Sequence, residues 1–253
     1  MNAADSLNRP SYLMPLVLHR IVKNKVDSWE DINEKIFVKM VDVVGSSWVT
    51  VDKKNVDQLN GWCLTFDDGN LSDYEIAYPI LSERGVGAIF FLIVEKIGKK
   101  GYLTWSQIEE MSRNGMTFGS HSMTHKSMIS LSKKDVLKEF CQSKGILEDK
   151  TGDPITSFSF PFGDNSRELN QVCFEAGYTL AFTSRHGFAS KNSSVIPRNS
   201  INSNMNWPDI ISVLEPKLGM RLQWVFEDRV KSLVKNVVGR DRYTQLRDRI
   251  LHD

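Results

Sequence analysis

The chain has 253 residues, of which 41% are hydrophobic and 25% are charged, an ordinary composition for a globular protein. This length accommodates either two small domains or one α/β barrel. The formal net charge of +1 gives no overall field that would attract nucleic acid, so no nucleic-acid partner is expected.

The N-terminal segment does not have the pattern of a secretory signal, in which a basic region precedes a long apolar stretch. Its apolar run, Leu13–Leu18, is short and is ended by His19 and Arg20. No segment approaches the ~20 consecutive apolar residues of a membrane span. The three cysteines include no CxxC pair, which favours a reducing compartment over a disulfide framework. Together these features predict a cytoplasmic protein, with the inner membrane surface as a second location.

Short apolar runs alternate with longer helical patterns along the chain. Several of the runs are too uniformly apolar for a sheet with one solvated face, as expected for parallel strands covered on both sides. The predicted strands are Leu13–Leu18, Trp62–Phe66, Ala88–Ile93, Met116–Ser120, Ser157–Pro161, Leu180–Thr183 and Val195–Ile201. Apolar spacing, capping residues and terminal glycines predict helices over Trp29–Val44, Ser72–Arg84, Thr104–Asn114, Ser132–Glu148 and Asn165–Ala176.

The repeated strand–helix alternation predicts a single distorted (β/α) barrel of about seven strands, with a doubly wound open sheet as the alternative. We assign residues 1–215 to the barrel and residues 216–253 to a C-terminal helical extension. Barrel enzymes carry their chemistry at the carboxyl ends of the strands. The residues at or near the carboxyl ends of the predicted strands are therefore candidates for a site: His19, Asp67, Asp68, His121, Pro161, Phe162, Gly163 and Arg198.

Two adjacent carboxylates, Asp67 and Asp68, end the second predicted strand in the segment LTFDDGN. Neighbouring strand residues point to opposite sides, so the two side chains can take different roles. An Asp-Gly pair also ends many strands for purely conformational reasons, and taken alone the turn interpretation is favoured.

Two histidines, His121 and His125, follow the fourth predicted strand in the segment GSHSMTH. A spacing of four residues is one helical turn, which would bring both imidazoles to one ion, although two surface histidines at this spacing are common. With Asp68 they provide three ligands and leave room for water, as in catalytic zinc sites.

These segments resemble the polysaccharide deacetylase family, also called the NodB-homology family or carbohydrate esterase family 4. The order TFDDG, then HSMTH, then SFPFG carries the resemblance, which runs over roughly residues 62 to 184 and more loosely through LVLHRI and VIPRNSI. It implies a distorted (β/α) barrel that binds Zn2+, or alternatively Co2+, Ni2+ or Mn2+. By position, the resemblance implies that Asp67 is the catalytic base and that the metal ligands are Asp68, His121 and His125. It also implies that the acetyl pocket is lined by Pro161, Phe162 and Gly163. The N–H of Phe162 would help to hold the oxyanion.

The sequence departs from the family pattern at two places. The family's third motif often begins with an Arg that orients the base, and Ser159 stands there instead; Arg198 is the candidate replacement, unless it is a solvated cation at a strand end. The later Leu-x-His motif, which supplies the general acid, has no match, and His186 and His252 are poor substitutes. We predict that His19, from the first strand, takes this role as in permuted relatives; its alternative is a strand cap.

The resemblance implies a hydrolase that removes the acetyl group from an N-acetyl amino sugar in a polysaccharide, oligosaccharide or lipid-linked glycan precursor. Amide hydrolysis needs an activated water, stabilisation of the oxyanion and a proton for the departing amine, and the candidates provide these functions. The alternatives are a catalytically inactive carbohydrate-binding module on the same fold and a hydrolase of a small non-sugar amide.

The C-terminal segment has a different character. Nine Lys and Arg against five Asp and Glu follow from Lys217 onward. This pattern is typical of a basic amphipathic helix, which could lie on an anionic membrane surface or pack on the barrel or a second subunit. The predicted apolar face is formed by Leu222, Phe226, Val230, Leu233 and Val237, and the cations around it are Arg229, Lys231, Lys235 and Arg240.

Overall fold

The computed structural model describes residues 7–51, 55–56 and 59–238. Its strands are β1 Leu13–Leu18, β2 Arg20–Val22, β3 Asp31–Asn33, β4 Gly61–Phe66, β5 Ala88–Leu92, β6 Thr117–Ser120, β7 Ser157–Ser159, β8 Leu180–Phe182, β9 Val195–Ile196 and β10 Asn199–Ser200. Its helices are α1 Glu34–Val44, α2 Tyr78–Glu83, α3 Trp105–Arg113, α4 Lys133–Thr151, α5 Arg167–Glu175, α6 Trp207–Leu214 and α7 Leu218–Val238. One π-helical turn, Asp73–Ala77, precedes α2.

Eight of the strands form one curled parallel sheet in the order β10-β1-β4-β5-β6-β7-β8-β9. Its two edge strands are consecutive in the chain, since only Pro197 and Arg198 separate β9 from β10. The predicted strand Val195–Ile201 is thus split: its first part pairs with β8 and its second with β1. The split is explained by Pro197, which has no N–H to donate, and by Arg198, whose N–H binds the carbonyl of Arg185. The predicted barrel is confirmed.

Alternation along the strands divides the core into two layers. One apolar cluster fills the space enclosed by the sheet and includes Cys63, Ile89, Phe91, Phe182 and Ile196. The other lies between the sheet and the helices. Strands β1, β4 and β5 are buried throughout, as predicted for strands covered on both faces.

Helix boundaries follow the capping residues. The side chains of Asn33, Thr104, Ser132, Ser166 and Asn206 each accept a backbone N–H of the first helical turn.

One predicted helix start is wrong, and a second helix starts near its predicted residue without the expected cap. The helix predicted from Trp29 begins at Glu34, because residues 31–33 pair with β2 as a second, two-stranded sheet. The helix predicted from Ser72 opens with the π-helical turn, and the Ser72 hydroxyl accepts the N–H of Ile21 instead of capping the helix.

Within the described residues, the C-terminal segment is helical over Leu218–Val238, as predicted. Trp62 of β4 donates its indole N–H to the carbonyl of Leu214, which ties the end of α6 to the barrel. The proposed boundary between residues 215 and 216 falls between α6 and α7 and remains a prediction. The side chain of Val237, as well as Arg240 and His252, lie outside the described residues. Among the described helices, none combines the length and the apolar character needed to cross a bilayer.

Candidate metal and hydrolytic site

The sequence-predicted residues converge at one rim of the barrel. Asp67 and Asp68 follow β4, His121 follows β6, Pro161 follows β7, and Arg198 lies between β9 and β10. All of these positions are at carboxyl ends of parallel strands, where the fold brings loops together. The structure therefore assembles in space a set that is spread over more than half of the chain.

Three of these residues form a cluster that could hold a metal ion. Asp68 Oδ1 lies 3.5 Å from His121 Nε2 and 3.4 Å from His125 Nε2. The ligand atoms of the three side chains lie within 4.8 Å of one another. One carboxylate oxygen and two imidazole nitrogens at this separation suit a divalent transition metal, and a catalytic site of this kind keeps a further position open.

The two histidines meet through a loop and not through the helical turn that their spacing suggested. Ser122 and His125 have positive φ angles of 71° and 62°, which excludes a right-handed helix here. The Ser122 hydroxyl accepts the N–H of His125 at 2.9 Å and closes the turn. The convergence was predicted, but its geometry was not.

A buried carboxylate from α4 fixes the same loop. Glu139 Oε2 accepts the N–H groups of Met123 and Thr124 at 2.9 and 3.1 Å, and its Oε1 accepts the hydroxyl of Thr124 at 2.7 Å. These are charge-assisted bonds in a buried setting, where they are stronger than neutral ones. Glu139 was missed in the sequence because it lies fourteen residues beyond His125, in an ordinary helical pattern.

The imidazole of His121 is prepared to act as a ligand. Its Nδ1 lies 2.8 Å from the carbonyl oxygen of Ser159, so Nδ1 carries the proton and Nε2 presents a lone pair toward Asp68. Burial lowers the pKa of His121 to about 3, which keeps the ring neutral near pH 7. A neutral imidazole in this tautomer is the form that binds metal.

Asp67 points into the barrel and is held by Arg198. Arg198 Nη1 and Nη2 donate to Oδ1 and Oδ2 of Asp67, each at 2.7 Å, in a bidentate pair. The remaining bonds of the guanidinium go to Thr65 Oγ1, Ser159 Oγ and the carbonyl of Thr183 at 3.1, 2.8 and 3.1 Å. Ser159 also donates to Asp67 at 3.2 Å. The alternative of a solvated strand-end cation is wrong, since Arg198 is 1% exposed.

The two neighbouring carboxylates have opposite electrostatic environments. Burial by itself would raise the pKa of Asp67, but the charges of Arg198 and His121 and the Arg198 hydrogen bonds outweigh it and hold that pKa well below its usual value. For Asp68, burial dominates and the nearby Asp67 and Glu30 add to it, so its pKa is raised to about 7 despite the opposing effect of His19. Asp67 is therefore ionised at any working pH, whereas Asp68 titrates near neutrality in the metal-free protein.

His19 lies at the same rim. A ring nitrogen of His19 and carboxylate oxygens of Glu30 and Asp68 lie within 4.8 Å of one another. Trp29 contacts the imidazole edge-on, with ring centroids 5.5 Å apart. The structure thus brings His19 beside a candidate metal ligand, and its role as a permuted proton donor stays a prediction.

The Pro161-Phe162-Gly163 turn borders the cluster. Phe162 has a φ of 60°, and its ring centroid lies 4.8 Å from that of His125. Gly163 has a φ of 66°, and a Cβ there would lie 2.5 Å from Cβ of Ser184, so no larger residue fits. A bulky residue in the left-handed region is unusual, and such conformations gather at functional sites.

A further acidic residue, Asp73, lies buried behind the site. Neither of its carboxylate oxygens has a hydrogen-bond partner among the described residues. Burial, followed by the charge of Asp68, raises its pKa well above the usual value. The buried position favours the neutral acid.

Comparison with known proteins identifies the family of this chain. A sequence profile described as polysaccharide deacetylase matches residues 55–181, about half of the chain, and includes Asp67, Asp68, His121 and His125. The chain belongs to the polysaccharide deacetylase family. The resemblance found from the motifs alone is thereby confirmed.

Individual relatives in this family are distant. The Bacillus subtilis protein YxkH, which is named as a polysaccharide deacetylase, is 31% identical over 150 residues, covering 59% of this chain and 53% of its own length. A poly-β-1,6-N-acetyl-D-glucosamine N-deacetylase of Staphylococcus aureus is 24% identical, covering 53% of this chain and 52% of its own length. The chain thus spans about half the length of these curated relatives.

Solved deacetylase structures share the fold. The Streptococcus pyogenes deacetylase PplD, solved in complex with acetate, aligns with a TM-score of 0.72 at 24% identity, over 82% of this chain and all of that chain. IcaB from Ammonifex degensii aligns with a TM-score of 0.70 at 22% identity, over 82% of this chain and 98% of that chain. These similarities support the distorted barrel independently of the motifs.

Proposed function

We propose that this polysaccharide deacetylase family member hydrolyses the acetamide of an N-acetyl amino sugar within a polysaccharide, an oligosaccharide or a lipid-linked glycan precursor. The observation that carries the proposal is an ionised Asp67, locked by Arg198, beside the Asp68–His121–His125 cluster. The name of the Staphylococcus aureus relative supports N-acetylglucosamine as the sugar.

Asp68, His121 and His125 would hold one divalent cation, with Zn2+ proposed first and Co2+, Ni2+ or Mn2+ as alternatives. The cluster fits such an ion because its imidazole Nε2 atoms both face one carboxylate oxygen and because His121 is neutral. The chemistry that a cation supplies there, when bound, is Lewis-acid polarisation of the acetyl carbonyl and acidification of water.

The chain's own groups would perform the proton transfers. Asp67 takes the proton of the attacking water, and Arg198 keeps both of its oxygens oriented for that task. The N–H of Phe162 donates to the developing oxyanion. His19 then donates a proton to the departing amine, which leaves the free amino sugar and acetate as products.

Acetate release by the full chain tests this proposal against its alternatives. The substrates are β-1,6-linked and β-1,4-linked N-acetylglucosamine oligomers and a small non-sugar acetamide. We expect release from an oligomer that stops with a chelator and returns with Zn2+. No release from any metal-loaded sample would favour the inactive carbohydrate-binding module. Turnover of the small acetamide alone would favour the non-sugar amidase.

The remaining predictions concern location. The sequence predicts a cytoplasmic protein, with the inner membrane surface as the second location. Placement in the cytoplasm would favour a precursor or a short glycan over a finished wall polymer. Fractionation of cells that express the full chain tests this prediction, and recovery of the protein outside the cell would contradict it.

A further inference from the structure

Helix α7 is fixed to the barrel by one face. Trp224 is buried, and its ring stacks on that of His186 with centroids 5.6 Å apart and an interplanar angle of 14°. Asp228 accepts the backbone N–H of His186 and pairs with its ring Nδ1, both at 3.1 Å. These contacts orient the helix, so its opposite face points away from the barrel.

That opposite face is apolar and exposed. Leu218 and Phe226 are 72% and 68% exposed, far more than a stable core position allows. The exposed apolar residues of α7 are Leu218, Leu222, Val225, Phe226, Val230, Leu233 and Val234. Their spacings of three, four, seven and eight residues place them in one stripe along the helix, which we call the outer stripe. A contiguous apolar surface of this kind marks an interaction site.

The net charge of the C-terminal segment indicates which kind of partner the outer stripe would bind. Residues 217–253 contain nine of the 32 Lys and Arg but only five of the 31 Asp and Glu. The rest of the chain is therefore net acidic, and residues 217–235, which span the outer stripe, contain five Lys and Arg against two Asp and Glu. Arg229, which is exposed, lies within the stripe by helical spacing, four residues after Val225 and seven after Leu222. Two copies facing each other through this stripe would bring like charges together, whereas an anionic surface complements them.

We propose that the outer stripe of α7 docks the protein on the surface of an anionic lipid bilayer. The helix lies in the plane of the headgroups with its apolar side chains at the acyl boundary, and its cations pair with lipid phosphates and carboxylates. Because no described helix can cross a bilayer, attachment is to the surface. This inference does not depend on the proposed deacetylation, since binding needs neither metal nor substrate.

Vesicle flotation of the full chain tests the docking. We expect the protein to float with vesicles that contain phosphatidylserine, to stay unbound with vesicles of phosphatidylcholine alone, and to be released as salt rises. Replacing Leu222 and Phe226 together by Ser should lower partitioning at least about tenfold, because two apolar anchors are lost. Gln171→Ser, an exposed change on helix α5 away from the outer stripe, is the control and should float like the parent.

A second variant keeps the test decisive if the double substitution impairs folding. Arg229→Glu leaves every apolar residue in place and should weaken flotation with anionic vesicles. Absence of flotation, equal flotation with neutral vesicles, or parent-like binding by both variants would overturn the proposal. A dimer in sedimentation equilibrium that the Leu222 and Phe226 substitutions dissociate would assign the stripe to a second copy of the chain instead.

Discussion

Arg198 shows how one buried cation can orient the carboxylate of Asp67, the proposed catalytic base. A guanidinium has five N–H donors in a fixed plane, and Arg198 uses them on four residues from three separate strands or strand ends. The ion pair is almost completely removed from water, with side-chain exposures of 0% for Arg198 and 5% for Asp67. In such a pair the loss of one partner is expensive, because the other charge stays buried.

We predict that Arg198→Lys lowers kcat at least about tenfold and destabilises the protein by ~1–3 kcal/mol, because a lysine cannot make the bidentate pair. Bound metal should remain, since Arg198 contacts none of the three proposed ligands. Thermal unfolding, acetate release and metal analysis check the three parts. The control is Arg113→Lys, in an exposed pair with Glu109, which should behave like the parent. A parent-like kcat for Arg198→Lys would contradict the orienting role.

Asp73 provides a prediction about stability and pH. Its folded pKa is raised by burial, while in the unfolded chain it ionises near pH ~4. Between these two values the folded state holds one more proton, so the free energy of unfolding falls by ~1.4 kcal/mol per pH unit as pH rises.

Asp73→Asn removes this ionisation and keeps the side-chain shape. We therefore expect the metal-free variant to match the parent near the unfolded pKa and to gain stability over it progressively at higher pH. Urea unfolding across this range measures the difference. Asp149→Asn, at a side chain 78% exposed on α4, should show no such trend. A stability difference independent of pH would show that Asp73 is ionised in the folded protein.

At the scale of elements, α4 and the loop after β6 act together. The loop carries His121 and His125, yet its shape depends on Glu139 of a separate helix. A loop with left-handed residues at Ser122 and His125 would not hold this form without such support. The helix thus supports the candidate metal site although it contributes none of the proposed ligands.

We predict that Glu139→Gln weakens metal affinity about 10- to 100-fold, the usual effect of losing an outer partner of the ligands. The amide keeps the shape but can accept at only one of the two oxygen positions. Competition with a chelator of known affinity measures the change. Glu148→Gln is the matched control on the same helix, because Glu148 accepts from Lys144 and the N–H of Ile155 instead. Equal metal affinities for the two variants would contradict the supporting role.

The elements differ in how far the sequence predicts them. The strands of the barrel were located closely, because runs such as Leu13–Leu18 and Ala88–Leu92 are apolar throughout and are bounded by polar residues. The pairing of β2 with β3 was missed because each strand has three residues, too few to show a period. The helix predicted from Trp29 begins five residues later, at Glu34. Ile32 lies in a three-residue strand, but its position also fits the four-residue step of the helix that follows.

The sequence predicted which residues form the candidate site better than it predicted the contacts between them. Asp67, Asp68, His121 and His125 carry a recognisable order, whereas Glu30, Glu139 and the partners of Arg198 are joined only by the fold. Ser159 appeared in the sequence as the loss of an arginine, but in the structure it links Asp67 to the arginine that comes from a later strand. Long-range contacts of this kind leave no local pattern.

At the scale of the whole molecule, the curled sheet brings charged residues from several strands close to the proposed metal ligands. Their charges change the pKa of the ligand Asp68. Burial and the carboxylates of Asp67 and Glu30 raise the pKa of Asp68 to about 7, and a ligand must lose its proton to bind metal. Metal affinity should therefore be constant above pH 7 and fall up to ~tenfold per unit below it. Asp67 adds no titration here because its pKa lies far lower.

Zinc titrations against a chelator on both sides of pH 7 measure this dependence. Glu30→Gln removes a carboxylate that raises the pKa of Asp68, so the break in the curve should move to lower pH in that variant. Affinity that does not change on acidification through pH 7 would mean that Asp68 is already ionised in the metal-free protein.

The central claim is that Asp67 and Asp68, adjacent in the chain, separate the tasks of base and ligand. Acetate release per bound metal in Asp67→Asn tests it most directly, with metal content determined on the same sample. The account predicts about one divalent ion per chain, as in the parent, and a rate at least ~10²-fold lower, the usual contribution of a general base. A rate within a few-fold of the parent at full metal content would contradict it.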